Sequence, residues 1–569
     1  MRNSRRSSKL AAGLLGTALL LAACGGGSDS GTEDTTAGGG GAAGDAAMTI
    51  TYDIADEAVW DDGTPITVAD FQCTFDAAMK TPGSIGTSGY DKILEVNAGD
   101  SDKQVVVSLK ETYAPWRNLF SGLIKKDAVA NCSDISQDLQ TSWNFSGTEW
   151  KMESWSTDQV VYVPNDKYWG PRKVADGLKK LVMVSRAETE LTDLKAGSVD
   201  FIYPQFYAGI TDELKDPNVK TVLNFGGDYE ALYMNLGIDG KNTTPDGEKT
   251  RAFADPAFRE AFYKSIDLDA LFKQIYIPIA ADGTLLTCGP IVPGEYCPEG
   301  IFGNKYDQAA ADKIMTDAGY KKDGDGYWAK DGKTPKIEWV INTGNTRRES
   351  TQAYLIPLLQ KAGFNVVAYN CDAECYFQKR LPGMDYDLAM YISTAPPDPS
   401  YLVGSYAGDQ VPTEANNQQG GNYQGWVNDA ATKALHDSDK EVDPAKRAEL
   451  IKSAIVEMDK DYIIIPLFQF PKSGAYRTDR VDNVEGELNN NAAFNDTYQW
   501  KDLDGDGQIV IGAEQWPGCL NPITECANSS WYVWTVAQVL MPGAYRTTND
   551  AKYEPTELLK GEAKVEIKG

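Results

Sequence analysis

The chain has a single histidine, His436, among its 569 residues. A Ser-His-Asp or Cys-His nucleophile needs an imidazole beside it. His436 lies in a polar, helix-like stretch and reads as solvated, so that chemistry has no obvious seat. The G-x-S-x-G elbow, the H-E-x-x-H helix and the phosphate loop are also missing. Gly505-Asp506-Gly507 precedes a strand but lacks the later glycine of a dinucleotide fingerprint. No Cys-x-x-Cys occurs to hold a metal. Positive charge is scarce, with 54 Lys and Arg against 82 Asp and Glu, a net charge of −28. That balance argues against nucleic acid or an anionic membrane surface as partner, and it admits a cationic or zwitterionic ligand. Long apolar runs are lacking as well. Leu10–Ala23 falls short of the roughly 20 residues a membrane-spanning helix needs. A secreted enzyme working through carboxylates alone is the one enzyme class left as an alternative.

The N-terminus carries an address. Arg2, Arg5, Arg6 and Lys9 precede the apolar run, which ends Leu21-Ala22-Ala23-Cys24 before Gly25-Gly26-Gly27-Ser28. This resembles a bacterial lipobox, which implies that residues 1–24 are a lipoprotein signal, that Cys24 is lipidated, and that the protein is anchored to the outer face of the cytoplasmic membrane. Residues 25–47 are Gly, Ser, Thr, Asp and Ala and read as a flexible tether. Of nine cysteines, Cys24 set aside leaves an even number, which in an exported chain favours disulfides. Cys288/Cys297, Cys371/Cys375 and Cys519/Cys526 are close in sequence, leaving Cys73 and Cys132 for each other. Eight cysteines allow about a hundred connectivities, so spacing alone does not decide.

The chain is long enough for two or three domains. Its organising stretch is Glu57-Ala-Val-Trp-Asp-Asp-Gly-Thr-Pro-Ile-Thr-Val-Ala-Asp-Phe71. Thr49–Ile54 alternates as a half-buried strand. Asp62-Gly63 is a tight-turn pair and Pro65 fixes its exit. Thr67 stands at a helix N-cap three residues before Asp70, with Val68, Phe71 and Phe75 following. With Trp60, Asp62, Gly63, Pro65, Thr67 and Asp70 this unit resembles the signature of extracellular solute-binding proteins of family 5, the peptide/nickel class that serves ABC importers. Further segments resemble that family in order: Asn165 with Tyr168-Trp169-Gly170; Gly197-Ser-Val-Asp-Phe201; Tyr233-Met-Asn-Leu236; Asp255-Pro256 opening a helix to Asp267; Tyr306–Gly319; and the unit of strand Lys336–Ile341, helix Ser350–Ala362 and strand Asn365–Tyr369. Glu149-Trp150 departs from the family's Gly-Pro.

The resemblance implies a two-lobed α/β fold of the periplasmic-binding type, with three subdomains, a hinge and a ligand cleft between lobes. It implies a monomeric solute carrier without a cofactor, binding a peptide or similar small solute for a membrane permease. A sensing receptor that does not transport is the alternative. The expected boundaries are 48–145 for one subdomain of lobe 1 (completed by 540–569), 146–235 for its core (completed by 470–539), and 236–469 for lobe 2. Cleft candidates are aromatic and polar residues on loops after strands: Trp516, Tyr391, Asp398, Tyr423 and Trp426. Tyr391–Tyr401 resembles the family's pocket segment, in which an Asp holds a peptide's α-amine; here that position is Ala395, while Pro397-Asp398-Pro399 is kept. Asp502, Asp504 and Asp506, with Gly507, match the start of a calcium loop, yet its twelfth position is Ala513. The alternative is an acidic linker.

Chain order departs from the family. Its usual opening, a strand, an aromatic helix and a "y-x-P-x-L-L" segment, is not found ahead of Trp60. Gln508–Pro517 reads as that strand, Cys519-Leu-Asn-Pro522 resembles a segment near the family's start, Ser529–Leu540 reads as the helix, and Tyr553-Glu-Pro-Thr-Glu-Leu-Leu559 as the last piece. A circular permutation joined through Lys501–Gly507 is therefore expected. It requires Ala563–Lys568 to lie antiparallel to Met48–Asp53, and Gln508–Gly512 to sit inside the sheet that carries Trp155.

Overall fold

Two strands far exceed the rest: Val219–Met234 and Ile464–Arg477. In this computed structural model they pair antiparallel along almost their full length. The structure describes residues 46–568 apart from 85–86, 187–188, 205, 238–250, 281–282, 299, 414–415, 417–419, 485–495, 515, 517, 525–535, 537–538 and 549–551. The long pair forms the middle of a ten-stranded sheet. On one side lie Leu388–Ser393, Lys336–Val340 and Asn365–Ala368; on the other lie Phe201–Ile202, Gln508–Ala513, Lys180–Ser185, Gln159–Pro164 and Trp150–Trp155. The two ends of the sheet are the bases of two lobes, and the long strands are what joins them. Midway the ladder is irregular, with register shifts between Pro466 and Phe468 and between Gln469 and Pro471. Proline donates no ladder bond, and Gln469 Nε2 instead reaches the Gly226 carbonyl at 2.7 Å. The joint between lobes therefore falls at Gly226-Gly227 opposite Gln469–Pro471.

Side-chain alternation assigns each face of the sheet to a core. Leu181, Met183, Ile509 and Ile511 pack with the Met48–Phe145 region, whereas Val182, Val184 and Val510 face the core that continues into the second lobe. Burial on both faces explains the near-continuous apolar reading of Lys180–Ser185 and Gln508–Ala513, which pair in parallel. In the second lobe, strand Lys336–Val340, helix Thr346–Ala362 and strand Asn365–Ala368 form a parallel unit; the helix ends at Gly363 in the left-handed region, φ 104°.

A four-stranded antiparallel sheet extends the first lobe, in the order Ile93–Ala98, Gln104–Leu109, Met48–Asp53, Lys564–Ile567. The expected antiparallel pairing is present, with Ile50 opposite Val565. Just ahead of Met48, Ala47 N–H donates to the Leu109 carbonyl at 2.9 Å and its carbonyl accepts from Lys568 N–H at 2.9 Å, and Ala46 is buried. Helix Val68–Lys80 begins with a capping box, Thr67 Oγ1 accepting from Ala69 at 3.3 Å and Asp70 Oδ2 accepting from Thr67 N–H at 2.9 Å. Trp60 is buried edge-on to Phe145, 5.4 Å between ring centroids. Disulfides join Cys73 to Cys132, Cys288 to Cys297 and Cys371 to Cys375. Cys519 is also disulfide-bonded. Cys24, Cys526 and nearly all of the helix read at Ser529–Leu540 lie outside the described residues.

Candidate functional site: the cavity between the lobes

A cavity of about 1750 Å³ opens between the lobes and is walled by both. The first lobe supplies Tyr113, Arg117 and Tyr203, together with Met541, Tyr553 and Glu557 near the C-terminus; the second supplies Arg348, Tyr391, Tyr406, Tyr423 and Asp439. Asp228, Tyr229 and Phe470 come from the long strands beside the joint. Gly227 must lack a side chain here, since a Cβ would lie 2.0 Å from the Ala395 carbonyl oxygen.

Tyrosines dominate the second-lobe wall. Tyr391 stacks on Tyr233 with centroids 3.9 Å apart, and Tyr233 hydroxyl lies 2.6 Å from Ser393 Oγ. Burial pushes the Tyr229, Tyr391, Tyr401 and Tyr406 hydroxyls above their ordinary pKa, so this wall offers neutral hydroxyls and aromatic faces. Tyr401 hydroxyl donates to the Pro290 carbonyl at 2.7 Å. Behind the wall, Glu230 is fully buried between two guanidinium groups, accepting from Arg347 Nε at 2.6 Å and Arg348 Nε at 2.7 Å. Burial drives the Glu230 carboxyl up, but Arg347 and Arg348 outweigh it and hold it below its ordinary value. On the first-lobe side Glu557 accepts from Tyr168 at 2.6 Å, Arg172 at 2.9 Å and Arg546 at 2.9 Å. This ties the C-terminal segment to residues nearly four hundred positions earlier.

The lobes touch beside the cavity. Lys440 Nζ pairs with Glu111 at 2.7 Å, Ala114 N–H donates to the Asp439 carbonyl at 2.6 Å, and Asn118 Nδ2 donates to Ser400 Oγ at 3.2 Å.

Of the five cleft candidates, Tyr391 and Tyr423 are on the cavity wall. The other three serve elsewhere. Asp398 is engaged by Arg447 through two bonds of 2.6 and 2.8 Å and accepts from Ser400 N–H at 2.9 Å. Trp426 is buried, with its indole N–H donating to Asp461 at 2.8 Å. Trp516 stacks on Trp155, 5.2 Å between centroids, and both, half-buried, pack against the core of the first lobe. Spacing along a loop does not say which aromatic turns inward, and Tyr423 and Trp426, three residues apart, went opposite ways. Tyr229, Asp228 and Asp439 escaped sequence reasoning. For Asp228 and Tyr229 the available signal was their place directly after Gly226-Gly227; Asp439 lies in a polar helix that gave none.

Asp502, Asp504 and Asp506 place carboxylate oxygens within 4.8 Å of one another. Those oxygens accept backbone N–H groups of the same loop, from Gly505 at 2.9 Å, Gly507 at 2.7 Å and Gln508 at 2.8 Å, and Asp504 also pairs with Arg480 at 2.8 Å. The loop is thus a self-bonded turn ahead of a strand, and its three carboxylates form a group that could hold a metal ion.

A ten-stranded sheet shared by two lobes, with a roomy cavity at its joint, defines a two-lobed binding protein. Residues 43–413 match the family of bacterial extracellular solute-binding proteins, family 5 (Middle), more than half of the chain, and the chain belongs to that family. It is similar to the oligopeptide-binding protein OppA of Mycobacterium tuberculosis, 24% identical over 447 residues covering 76% of this chain and 71% of that protein. A shorter stretch resembles the probable monoacyl phosphatidylinositol tetramannoside-binding protein LpqW of Mycobacterium tuberculosis, 27% identical over 166 residues. That match spans 27% of this chain and about a quarter (26%) of the relative's length. Among solved structures, the oligopeptide-binding protein AppA of Bacillus subtilis in complex with a nonapeptide superposes with a TM-score of 0.66 at 19% identity, covering 80% of this chain and 87% of that one. Among the described residues no helix is long and apolar enough to cross a membrane.

Proposed function

We propose that this chain is the solute-binding component of an ABC importer. It captures a peptide or similar extended solute between its lobes as a monomer and hands it unchanged to a membrane permease. The observation that carries this reading is the cavity itself. At about 1750 Å³ it exceeds the roughly 300–1,000 Å³ of ordinary small-molecule pockets, and both lobes wall it, so a ligand there favours the closed form that a permease would read. The oligopeptide-binding relatives support a peptide. Ala395 stands where peptide binders of the family carry an amine-holding Asp, so the ligand's amine, if present, is met by another group. Mass spectrometry of the solute released from purified protein is expected to return intact peptides. A chemically altered ligand after incubation would show turnover and sink the reading.

The anchor and the chain order belong to the same proposal. Cys24 carries the lipid at the outer face of the cytoplasmic membrane, and the Leu-Ala-Ala-Cys boundary supports it. Replacement Cys24→Ala is expected to move the protein from the membrane to the soluble fraction; equal retention by the variant would assign the anchor elsewhere. Subdomain boundaries follow 48–145 with 540–569, 146–235 with 470–539, and 236–469. The chain is a circular permutant joined through Lys501–Gly507, a reading supported by the register of Lys564–Ile567 on Met48–Asp53 and by the interior place of Gln508–Ala513.

A further inference from the structure

Asp439 is the second-lobe residue whose backbone carbonyl receives Ala114 N–H from the first lobe, and the residue lies at the cavity wall. It stands in the last turn of helix Asp429–Lys440, where the helix dipole disfavours a negative charge. The residue is only 7% exposed, and its Oδ1 is buried without a hydrogen-bond partner among the described residues.

The charges around it are already matched to other groups. From the first lobe, Lys92 pairs with Asp91 at 2.9 Å and with Glu111 at 3.1 Å. Glu111 also takes Lys440, the residue next to Asp439. From the second lobe, Arg447 is held by both oxygens of Asp398. His436, one turn back on the same helix, is 3.0 Å from Asp409, and the Tyr113 hydroxyl faces the group from the first lobe with its own pKa raised by burial. Asp91, Glu111, Asp398 and Asp439 thus share Lys92, Lys440 and Arg447, and Asp439 is the carboxylate left over. Its Oδ1 has no exposed surface for a hydrated ion or a ligand ammonium. The cation that fits there is a proton.

We propose that Asp439 is a proton-binding latch: closing the lobes strips water from its carboxyl, so closure takes up a proton and the closed form is favoured as pH falls. Burial, reinforced by Asp398 and offset by Arg447 and Lys92, lifts its pKa to about 7 in the closed arrangement, against an ordinary carboxylate value near 4 once the lobes part. The sign follows from linkage. A carboxyl whose closed-state pKa is raised favours closure fully below its open-state value and loses that effect as pH rises through the closed-state value. Between pH 6 and pH 8 the closed-to-open ratio is expected to fall about ten-fold. The inference deepens the proposed function by naming a control on the same cleft, and its test uses no ligand, so it stands or falls apart from the solute assignment.

The Ala114 amide reports the latch directly, because its hydrogen bond crosses between the lobes. In the full-length, ligand-free protein, hydrogen exchange of the 111–118 segment, corrected for intrinsic rate, is expected to show about ten-fold greater protection at pH 6 than at pH 8. Asp439→Asn, which cannot titrate, is expected to remove that difference. His436→Gln is expected to retain it, which separates the latch from the chain's only imidazole. Equal protection at the two pH values in the unmodified protein, persistence of the difference in Asp439→Asn, or its loss in His436→Gln would each overturn the proposal.

Discussion

Removal of residues 508–569 is expected to abolish cooperative folding rather than trim the protein. The cut takes out Gln508–Ala513, which pairs with Lys180–Ser185 on one side and Phe201–Ile202 on the other. Both neighbours would be left with unpaired backbone groups in a buried sheet, and each such group costs free energy comparable to a lost hydrogen bond. The cut also removes Leu520, Leu540, Ala544, Tyr545 and Leu558 from the core built on Met48–Phe145, and the strand beside Met48–Asp53. Domain stabilities are only about 5–15 kcal/mol. Truncating Ile511 alone to Ala, at a fully buried position, is expected to cost about 2–5 kcal/mol. Near-UV circular dichroism and a thermal melt check this. A truncated protein that melts cooperatively within a few degrees of the full chain would show that residues 508–569 are an appendage.

Replacing Glu230 by Gln is expected to destabilise the protein by about 3–5 kcal/mol at neutral pH, the range for breaking a buried ion pair from one side. Arg347 and Arg348 lie in the first turn of helix Thr346–Ala362, where the dipole disfavours cations. Glu230, on the long strand at the joint, is what neutralises them. Arg347 also donates to the Phe206 carbonyl at 3.0 Å, so the cluster binds the helix to the strand and to the chain leaving Phe201–Ile202. Because the Glu230 pKa is held below its ordinary value, its contribution is present above the ordinary carboxylate range and is lost as pH falls through the depressed value. Denaturant unfolding at neutral and acid pH should therefore show a larger acid-dependent loss in the native chain than in Glu230→Gln, the remainder coming from other carboxylates held below their ordinary value, such as Asp62 and Glu557. A variant within 1 kcal/mol of the native chain at pH 7 would mean that the arginines are compensated by other groups.

These two effects differ in how far the sequence announced them. The strand at Gln508–Ala513 was legible because its β-branched run, its place after an acidic turn and the family order all pointed to one sheet. Nothing in the residues around Glu230 announced its partners, which lie more than a hundred positions away. Similarly, nothing along the chain around Asp398, read as a cleft candidate, announced that both its oxygens are bound by an arginine from a later helix.

By itself the sequence determined the local units: the capping box at Thr67 and Asp70, the Asp255-Pro256 helix start, the turn at Asp62-Gly63 and the strand–helix–strand unit from Lys336. The groups that make these hydrogen bonds lie within a few residues of one another, so their spacing along the chain is enough. The order of those units also indicated the family and a two-lobed fold. Tertiary structure decided which of Tyr423 and Trp426 lines the cavity, where the long ladder loses its register beside Gly227, and which carboxylate among Asp91, Glu111, Asp398 and Asp439 is left without its own cation. Burial and charge balance at those positions are set by elements brought together from distant parts of the chain, and the dielectric and packing that govern them exist only after the lobes are assembled.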